Sequence, residues 1–160
     1  MAKLIRAETT INAPIHMVWQ ILTEFENYNE WNPFLKNVSA DFRSGGKIKF
    51  SAIVRGRKLK FAAKFNRVEE LSYFAWSGDD APISFAVNGN HYFELKKLDE
   101  KRTLFIHGEN FTGLIIPALS FLLNQAKPAY ESMNLALKER AENLCQDRKE
   151  NKESPSIENT

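Results

Sequence analysis

The sequence predicts an α+β fold in which a bent antiparallel sheet of about seven strands wraps around a long, kinked C-terminal helix. Three observations predict it. Apolar residues alternate with a period of two over residues 3–11 and again from about 35 to 112. They recur at helical spacing between these two regions and again after Gly113. In one domain, this order buries its apolar faces only if one concave sheet face meets one apolar helix stripe.

The first elements are a strand and two short helices. Residues 3–11 alternate between apolar and polar side chains, as a half-buried strand does. Asn12 or Ala13 is expected to cap a helix whose first turn holds Pro14, where the missing N–H costs no hydrogen bond. A second short helix is expected over residues 26–31, ended by the Asn-Pro pair that follows.

The middle of the chain predicts the rest of the sheet. Residues 47–67 alternate around a turn at Gly56 and predict a hairpin with one apolar and one basic face. This basic hairpin holds eight basic residues and no acidic one, which indicates either a solvated face or a surface for a partner. Further strands are expected near residues 36–42, 71–77, 84–97 and 102–112.

The last helix is the longest predicted element. Leucines and other apolar residues three or four apart after Gly113 predict about 30 helical residues, kinked at Pro128 because proline removes one backbone hydrogen bond. The segment 146–160 is almost entirely polar and is expected to be a disordered tail. We therefore predict one domain over residues 1–145.

Composition narrows the class of protein. No apolar run is long enough to span a bilayer, and the N-terminus lacks the apolar stretch of a signal peptide. The single cysteine, Cys145, excludes a disulfide framework and a cysteine-cluster zinc site. A net charge of +2 does not indicate nucleic acid. We expect a cytoplasmic monomer or weak dimer with no cofactor, no metal and no integral membrane association.

Three polar residues lie in strands that otherwise look core-facing: His91, His107 and Glu109. The turn between their strands decides whether they meet. A three-residue turn pairing Leu98 with Arg102 sets His91 opposite Glu109. A two-residue turn shifts the pairing by one residue, so the side chains of the second strand exchange the inner and outer faces of the sheet. We favour the first register because it keeps the phenylalanines of the last strand on the apolar face.

A buried histidine and carboxylate have three possible roles. The pair could fix the strand register, orient a ligand carbonyl or hydroxyl, or act as general acid and base in an aldol-type cyclisation or dehydration. The remaining histidine, His16, has polar neighbours and is expected at the surface. No histidine or cysteine spacing matches a metal site.

Aromatic residues are the stronger signal for binding. Twelve Phe, three Trp and four Tyr are many for one domain, and aromatic walls suit flat or lipid-like ligands. The loop Trp31-Asn32-Pro33-Phe34 presents two large aromatics and is expected at the mouth of a cavity. The candidate ligand-binding residues are Trp31, Phe34, Phe50, Phe61, Phe65, Trp76, Phe85, Phe93, Phe105, Phe111, Leu119, Leu123 and Tyr130.

Three blocks of the sequence resemble a known superfamily. They are Ile11-Asn12-Ala13-Pro14 with Val18-Trp19 and Trp31-Asn32-Pro33-Phe34, the strand Thr103–Phe111 running into Gly113-Leu114, and Met133–Lys138 with Ala141-Glu142. In order and spacing they resemble the START-like, or SRPBCC, superfamily of helix-grip proteins, and most of all its small bacterial polyketide cyclase/dehydrase-like members. The resemblance covers about residues 3–145.

The resemblance implies three functional hypotheses, because the superfamily includes lipid and sterol carriers, hormone receptors, aromatic cyclases and co-chaperones. The favoured one is a non-enzymatic binder of a small hydrophobic ligand, lipid-like or aromatic and polyketide-like, held between the sheet and the last helix. The alternative is a cofactor-independent cyclase or dehydratase that uses His91, His107 and Glu109. A second alternative is a protein-interaction module of the co-chaperone type that uses the basic hairpin.

Overall fold

The computed structural model describes residues 2–78 and 88–153, and within them the chain forms seven strands and four α-helices. The strands are β1 (Ala2–Ile11), β2 (Leu35–Ala40), β3 (Lys47–Val54), β4 (Arg57–Glu69), β5 (Tyr73–Gly78), β6 (Asn88–Asp99) and β7 (Arg102–Thr112). The helices are α1 (Ile15–Thr23), α2 (Tyr28–Trp31), α3 (Ile116–Asn124) and α4 (Lys127–Glu153), with a 3-10 turn at Phe25–Asn27 before α2.

All seven strands pair antiparallel in one open sheet, in the order β1-β7-β6-β5-β4-β3-β2. Buried residues of α4 from Tyr130 to Ala141 share one core with inward residues of β1 and of β3 to β7. A register shift between Phe65 and Arg67 introduces an irregularity in β4, and such bulges bend a strand. The sheet therefore curves around α4, and the predicted helix-grip fold is confirmed.

The β6–β7 hairpin has the predicted register. His91 pairs with Glu109 and Phe93 pairs with His107, so both histidines and the carboxylate share the concave face. The turn itself differs from the prediction, because Asp99 pairs with Arg102 and the register shifts by one residue between Lys97 and Asp99. The bulge restores the parity that a two-residue turn alone would have reversed.

The start of α1 differs slightly from the prediction. Pro14 is the N-cap residue and the helix begins at Ile15, so neither Asn12 nor Ala13 caps it. The Asn12 backbone N–H instead donates to Glu142 Oε1 at 2.8 Å, which ties this loop to α4. The second short helix lies where it was predicted, as the 3-10 turn and α2.

The C-terminal helix is broken rather than kinked. α3 ends at Asn124 and α4 begins at Lys127, immediately before Pro128, so the predicted 30-residue helix is two helices. The break fits proline chemistry, because a proline is tolerated in the first turn of a helix but not in its interior. α4 continues to Glu153, so residues 146–153 are helical where the sequence analysis placed a disordered tail. Residues 154–160 lie outside the described ranges.

Candidate functional site

A cavity of about 200 Å³ lies between the concave face of the sheet and the start of α4. Its walls are mostly apolar, and its polar groups come from His91, Glu109 and Tyr130. The full lining is Phe34, Leu35, Phe50, Ala52, Val54, Phe61, Trp76, His91, Glu109, Phe111, Ala126 and Tyr130. We call this space the inner cavity.

Glu109 is the centre of the polar groups in the inner cavity. The Tyr130 hydroxyl donates a short hydrogen bond to Glu109 Oε2, and His91 Nδ1 lies 3.4 Å from the same oxygen. The His91 ring stacks on Trp76, with 4.7 Å between ring centroids and 21° between ring planes. Two neighbouring strands and the first turn of α4 thus place one carboxylate oxygen between a phenol and an imidazole.

The polar chain continues away from the cavity into the core. His107 Nδ1 lies 3.1 Å from Asn134 Oδ1, and His107 Nε2 lies 2.9 Å from His91 Nε2. Asn134 Nδ2 donates to Thr9 Oγ1 at 3.3 Å. His107 and Asn134 are buried, so a polar chain of five side chains connects Glu109 to β1.

Asn134 sets the direction of the hydrogen bonds in this chain. Its amide oxygen can only accept, so the network assigns the ring proton of His107 to Nδ1. In a neutral His107 the Nε2 lone pair then accepts from the Nε2–H of His91. This leaves His91 Nδ1 facing Glu109 Oε2 at 3.4 Å.

Burial controls the protonation of His107 and Tyr130. It lowers the pKa of His107 well below its usual value, and the neighbouring His91 lowers it further. Burial also raises the pKa of Tyr130, and so do the charge of Glu109 and the hydrogen bond to it. His107 is therefore a neutral imidazole and Tyr130 a neutral phenol that acts as a donor.

Gly89 makes room for the Glu109 carboxylate. A Cβ at this position would lie 2.3 Å from Glu109 Oε1, closer than such atoms approach each other in proteins. Within the ranges 2–78 and 88–153, Oε1 has no hydrogen-bond partner. Oε1 is thus the oxygen of Glu109 that is available to a molecule in the inner cavity.

A second, more open space lies outside the inner cavity and is called here the outer groove. It measures about 610 Å³ and lies between the β3–β4 end of the sheet and the α3–α4 junction. Among the described residues that line it, Arg55 is the one with a charged side chain. Phe34 lines both spaces and is itself buried, with its ring 5.3 Å from that of Tyr130. Its side chain therefore forms a partition between them.

The predicted binding residues fall into three groups. Six line the inner cavity: Phe34, Phe50, Phe61, Trp76, Phe111 and Tyr130. Five do not line it: Trp31, Phe65, Phe93, Phe105 and Leu123. Phe85 and the side chain of Leu119 lie outside the part of the chain that the structure describes.

The five that do not line the cavity are packing residues. Phe65, Phe93 and Phe105 are almost fully buried in the core, and Leu123 packs at its edge. Trp31 packs edge-on against Tyr28, with 5.1 Å between ring centroids, so only the Phe34 end of the predicted loop reaches the cavity. The buried Asn32 holds that end in place, because its Oδ1 accepts from the backbone N–H of Phe34 at 2.9 Å.

Sequence reasoning missed several residues of the site. The small or aliphatic wall residues Leu35, Ala52, Val54 and Ala126 carry no distinctive signal. Asn134 had one available signal, since it is a polar residue inside the apolar stripe of the last helix. Thr9 had none, because a threonine on a strand is commonplace.

Other candidates stay outside the site. His16 is exposed, as predicted. The basic side chains of the hairpin are mostly exposed around its turn. Among the residues described, no cluster of His, Cys, Asp or Glu could hold a metal ion, and no helix combines the length and apolarity needed to cross a bilayer.

Comparison with known proteins agrees with the fold. The model of a family described as polyketide cyclase / dehydrase and lipid transport matches residues 3–142. No curated protein matches the chain in sequence.

Solved structures share the fold at low sequence identity. The aromatase/cyclase Zhui from Streptomyces sp. R1128 has a TM-score of 0.74 and 16% identity, covering 91% of this chain and 96% of its own. A START superfamily protein from Mycobacterium smegmatis has a TM-score of 0.71 and 18% identity, covering 88% and 98%. Norcoclaurine synthase from Thalictrum flavum, in complex with a transition-state analogue, has a TM-score of 0.70 and 11% identity, covering 91% and 97%.

Proposed function

The chain belongs to the polyketide cyclase / dehydrase and lipid transport family, and from that premise we propose that it binds a small aromatic molecule carrying a hydroxyl group. The ligand occupies the inner cavity. The observation that carries the proposal is a carboxylate, Glu109, that faces a space of about 200 Å³ with mostly apolar walls. The single cysteine and the composition support a cytoplasmic setting.

The size of the inner cavity limits the ligand. A dry apolar cavity of about 150 Å³ is enough to bind benzene, and drug-sized ligands take roughly 300 Å³ or more. About 200 Å³ therefore suits one substituted ring and is too small for an acyl chain or a fused polyketide. Trp76, Phe50 and Phe61 supply flat walls against which such a ring packs.

The polarity of the inner cavity favours a ligand that carries a hydrogen-bond donor. Oε2 of Glu109 is already occupied by Tyr130 and His91, which leaves Oε1 to accept from the ligand. A hydrogen bond to a carboxylate is worth about 1.5–3 kcal/mol, and an apolar ring without a hydroxyl forfeits it. A phenol is therefore expected to bind about tenfold or more tightly than the matching hydrocarbon.

The test uses p-cresol and toluene, which share a methylated ring and differ by one hydroxyl. Protein-detected NMR titration of the full chain should give tighter binding of p-cresol, with shifts at Phe50, Trp76 and Tyr130. Glu109→Gln should remove most of the preference. Lys97→Gln, at the opposite end of the sheet, is the control. Equal affinity of wild-type protein for the two probes would contradict the proposal.

A second candidate function is a cofactor-independent cyclase or dehydratase. The contacts of Glu109 support it: Oε2 faces His91 and Tyr130, so Oε1 is the oxygen that would accept a proton from a substrate in general base catalysis. Turnover of a phenolic β-carbonyl substrate should fall by about a hundredfold or more in Glu109→Gln while p-cresol binding stays measurable. Wild-type turnover in that variant would exclude Glu109 as the general acid or base.

A further inference from the structure

The surface around the outer groove combines exposed apolar and basic side chains. Phe121 is 79% exposed on α3, and just before this helix Leu114 is 77% and Ile115 41% exposed. Soluble proteins seldom leave several such side chains in one short segment without a partner. Phe121 lines the outer groove, so this apolar segment borders the way towards the inner cavity.

The opposite rim of the groove is basic. Arg55 lines the outer groove together with Phe121, and it also lines a neighbouring depression with Arg57 and the half-exposed Leu59. The hairpin from residue 47 to 67 carries eight basic residues and no acidic one. Basic and apolar groups are therefore continuous around one end of the molecule, and this region is called here the mouth surface.

We propose that the mouth surface docks on an anionic phospholipid membrane. The apolar segment from Leu114 to Phe121 enters the level of the headgroups, and the arginines of the hairpin turn contact lipid phosphates. The charge of the mouth surface favours a membrane over an apolar partner. An apolar partner would match Phe121 but leave Arg55 and Arg57 without counter-charges. Both features match an interface that is apolar beneath a negative surface.

The position of the docked face adds a consequence for ligand traffic. Phe121 and Arg55 are on opposite rims of a groove that shares Phe34 as a wall with the inner cavity. In the docked state, the outer groove faces the headgroup region, where amphipathic aromatic molecules accumulate. In this docked state, a ligand would enter the cavity from the membrane.

The test is co-sedimentation of the full chain with vesicles of two compositions: phosphatidylcholine alone, and equal parts of phosphatidylcholine and phosphatidylglycerol. Binding to the anionic vesicles is expected to be at least about thirtyfold tighter, and to weaken as salt is raised from about 0.1 M to 1 M. The double variant Arg55→Gln, Arg57→Gln should lose about thirtyfold. Phe121→Glu should lose about tenfold or more.

Leu98→Glu is the matched control. It makes the same apolar-to-acidic change at a half-exposed leucine near the end of β6, at the other end of the sheet, and should leave vesicle binding unchanged. Equal losses in Phe121→Glu and Leu98→Glu, or equal binding to both vesicle types, would overturn the proposal. So would a dimer in size-exclusion chromatography that Phe121→Glu dissociates, because the occupant would then be a second copy. Binding of p-cresol, measured separately, is expected to survive in every one of these variants.

Discussion

Replacing Gly89 by alanine tests whether the space beside Glu109 serves recognition. The new Cβ would lie 2.3 Å from Oε1, and real Cβ contacts essentially never fall below 3.0 Å. The carboxylate must therefore retreat by at least about 0.7 Å. His91 Nδ1 is already 3.4 Å from Oε2, so this movement breaks that contact and misaligns the hydrogen bond from Tyr130.

Two opposing effects set the change in stability. Losing hydrogen bonds to the carboxylate costs about 1.5–3 kcal/mol, while removing a strand glycine contributes about 0.5–1 kcal/mol. The free energy of unfolding of Gly89→Ala should therefore fall by about 1–2 kcal/mol, which leaves the protein folded. The affinity for p-cresol should fall by about tenfold or more, because Oε1 leaves its place and the methyl group takes up cavity space.

Gly78→Ala is the matched control, since among the residues that the structure describes a Cβ at this strand glycine meets nothing within 4 Å. Urea denaturation gives the free energy of unfolding and calorimetric titration gives the affinity for p-cresol. If the two alanine variants bind p-cresol equally well, the inference that Gly89 makes room for Glu109 is wrong.

Three further predictions concern other members of the site. Phe34→Ala should join the inner cavity to the outer groove, so the ratio of 2-naphthol to p-cresol affinity rises by about tenfold in calorimetric titration; an unchanged ratio would contradict its role as a partition. In the wild type, the pKa of His107 is lower in the folded protein than in the unfolded chain, so the unfolded chain binds more protons at acid pH. The free energy of unfolding should therefore keep its full value above about pH 6.5 and fall below that pH by up to about 1.4 kcal/mol per pH unit. Urea denaturation at several pH values should show a shallower fall in His107→Gln, and a parallel curve would refute the assignment. Tyr130→Phe should lower the free energy of unfolding by about 1.5–3 kcal/mol through loss of the hydrogen bond to Glu109; a change below about 0.5 kcal/mol would show that this bond contributes little.

The register of the β6–β7 hairpin could be predicted from the sequence because parity is a local property. Side chains two residues apart in a strand point to the same face. The neighbouring phenylalanines face the core, so His91, His107 and Glu109 are predicted on the same concave face. The details of the turn could not be predicted, because a bulge and a longer turn have the same effect on parity.

Depth within the sheet could not be predicted from alternation. Phe65 and Phe61 are on the same face of β4, yet the first is almost fully buried in the core and the second is 47% exposed at the cavity. A period of two indicates which face a residue occupies, but not how far along the strand the helix covers it. Asn134 was missed for a related reason: only the tertiary contact with His107 distinguishes it from a packing polar residue.

The break between α3 and α4 has a consequence for how such a protein diversifies. At one end of the segment 114–125 is Gly113, whose φ of 139° favours glycine, and at the other is the helix break. Tyr130, which donates a hydrogen bond to Glu109, comes after the break. Substitutions in this segment therefore change the surface around the outer groove, while Glu109 and Tyr130 keep their positions at the inner cavity.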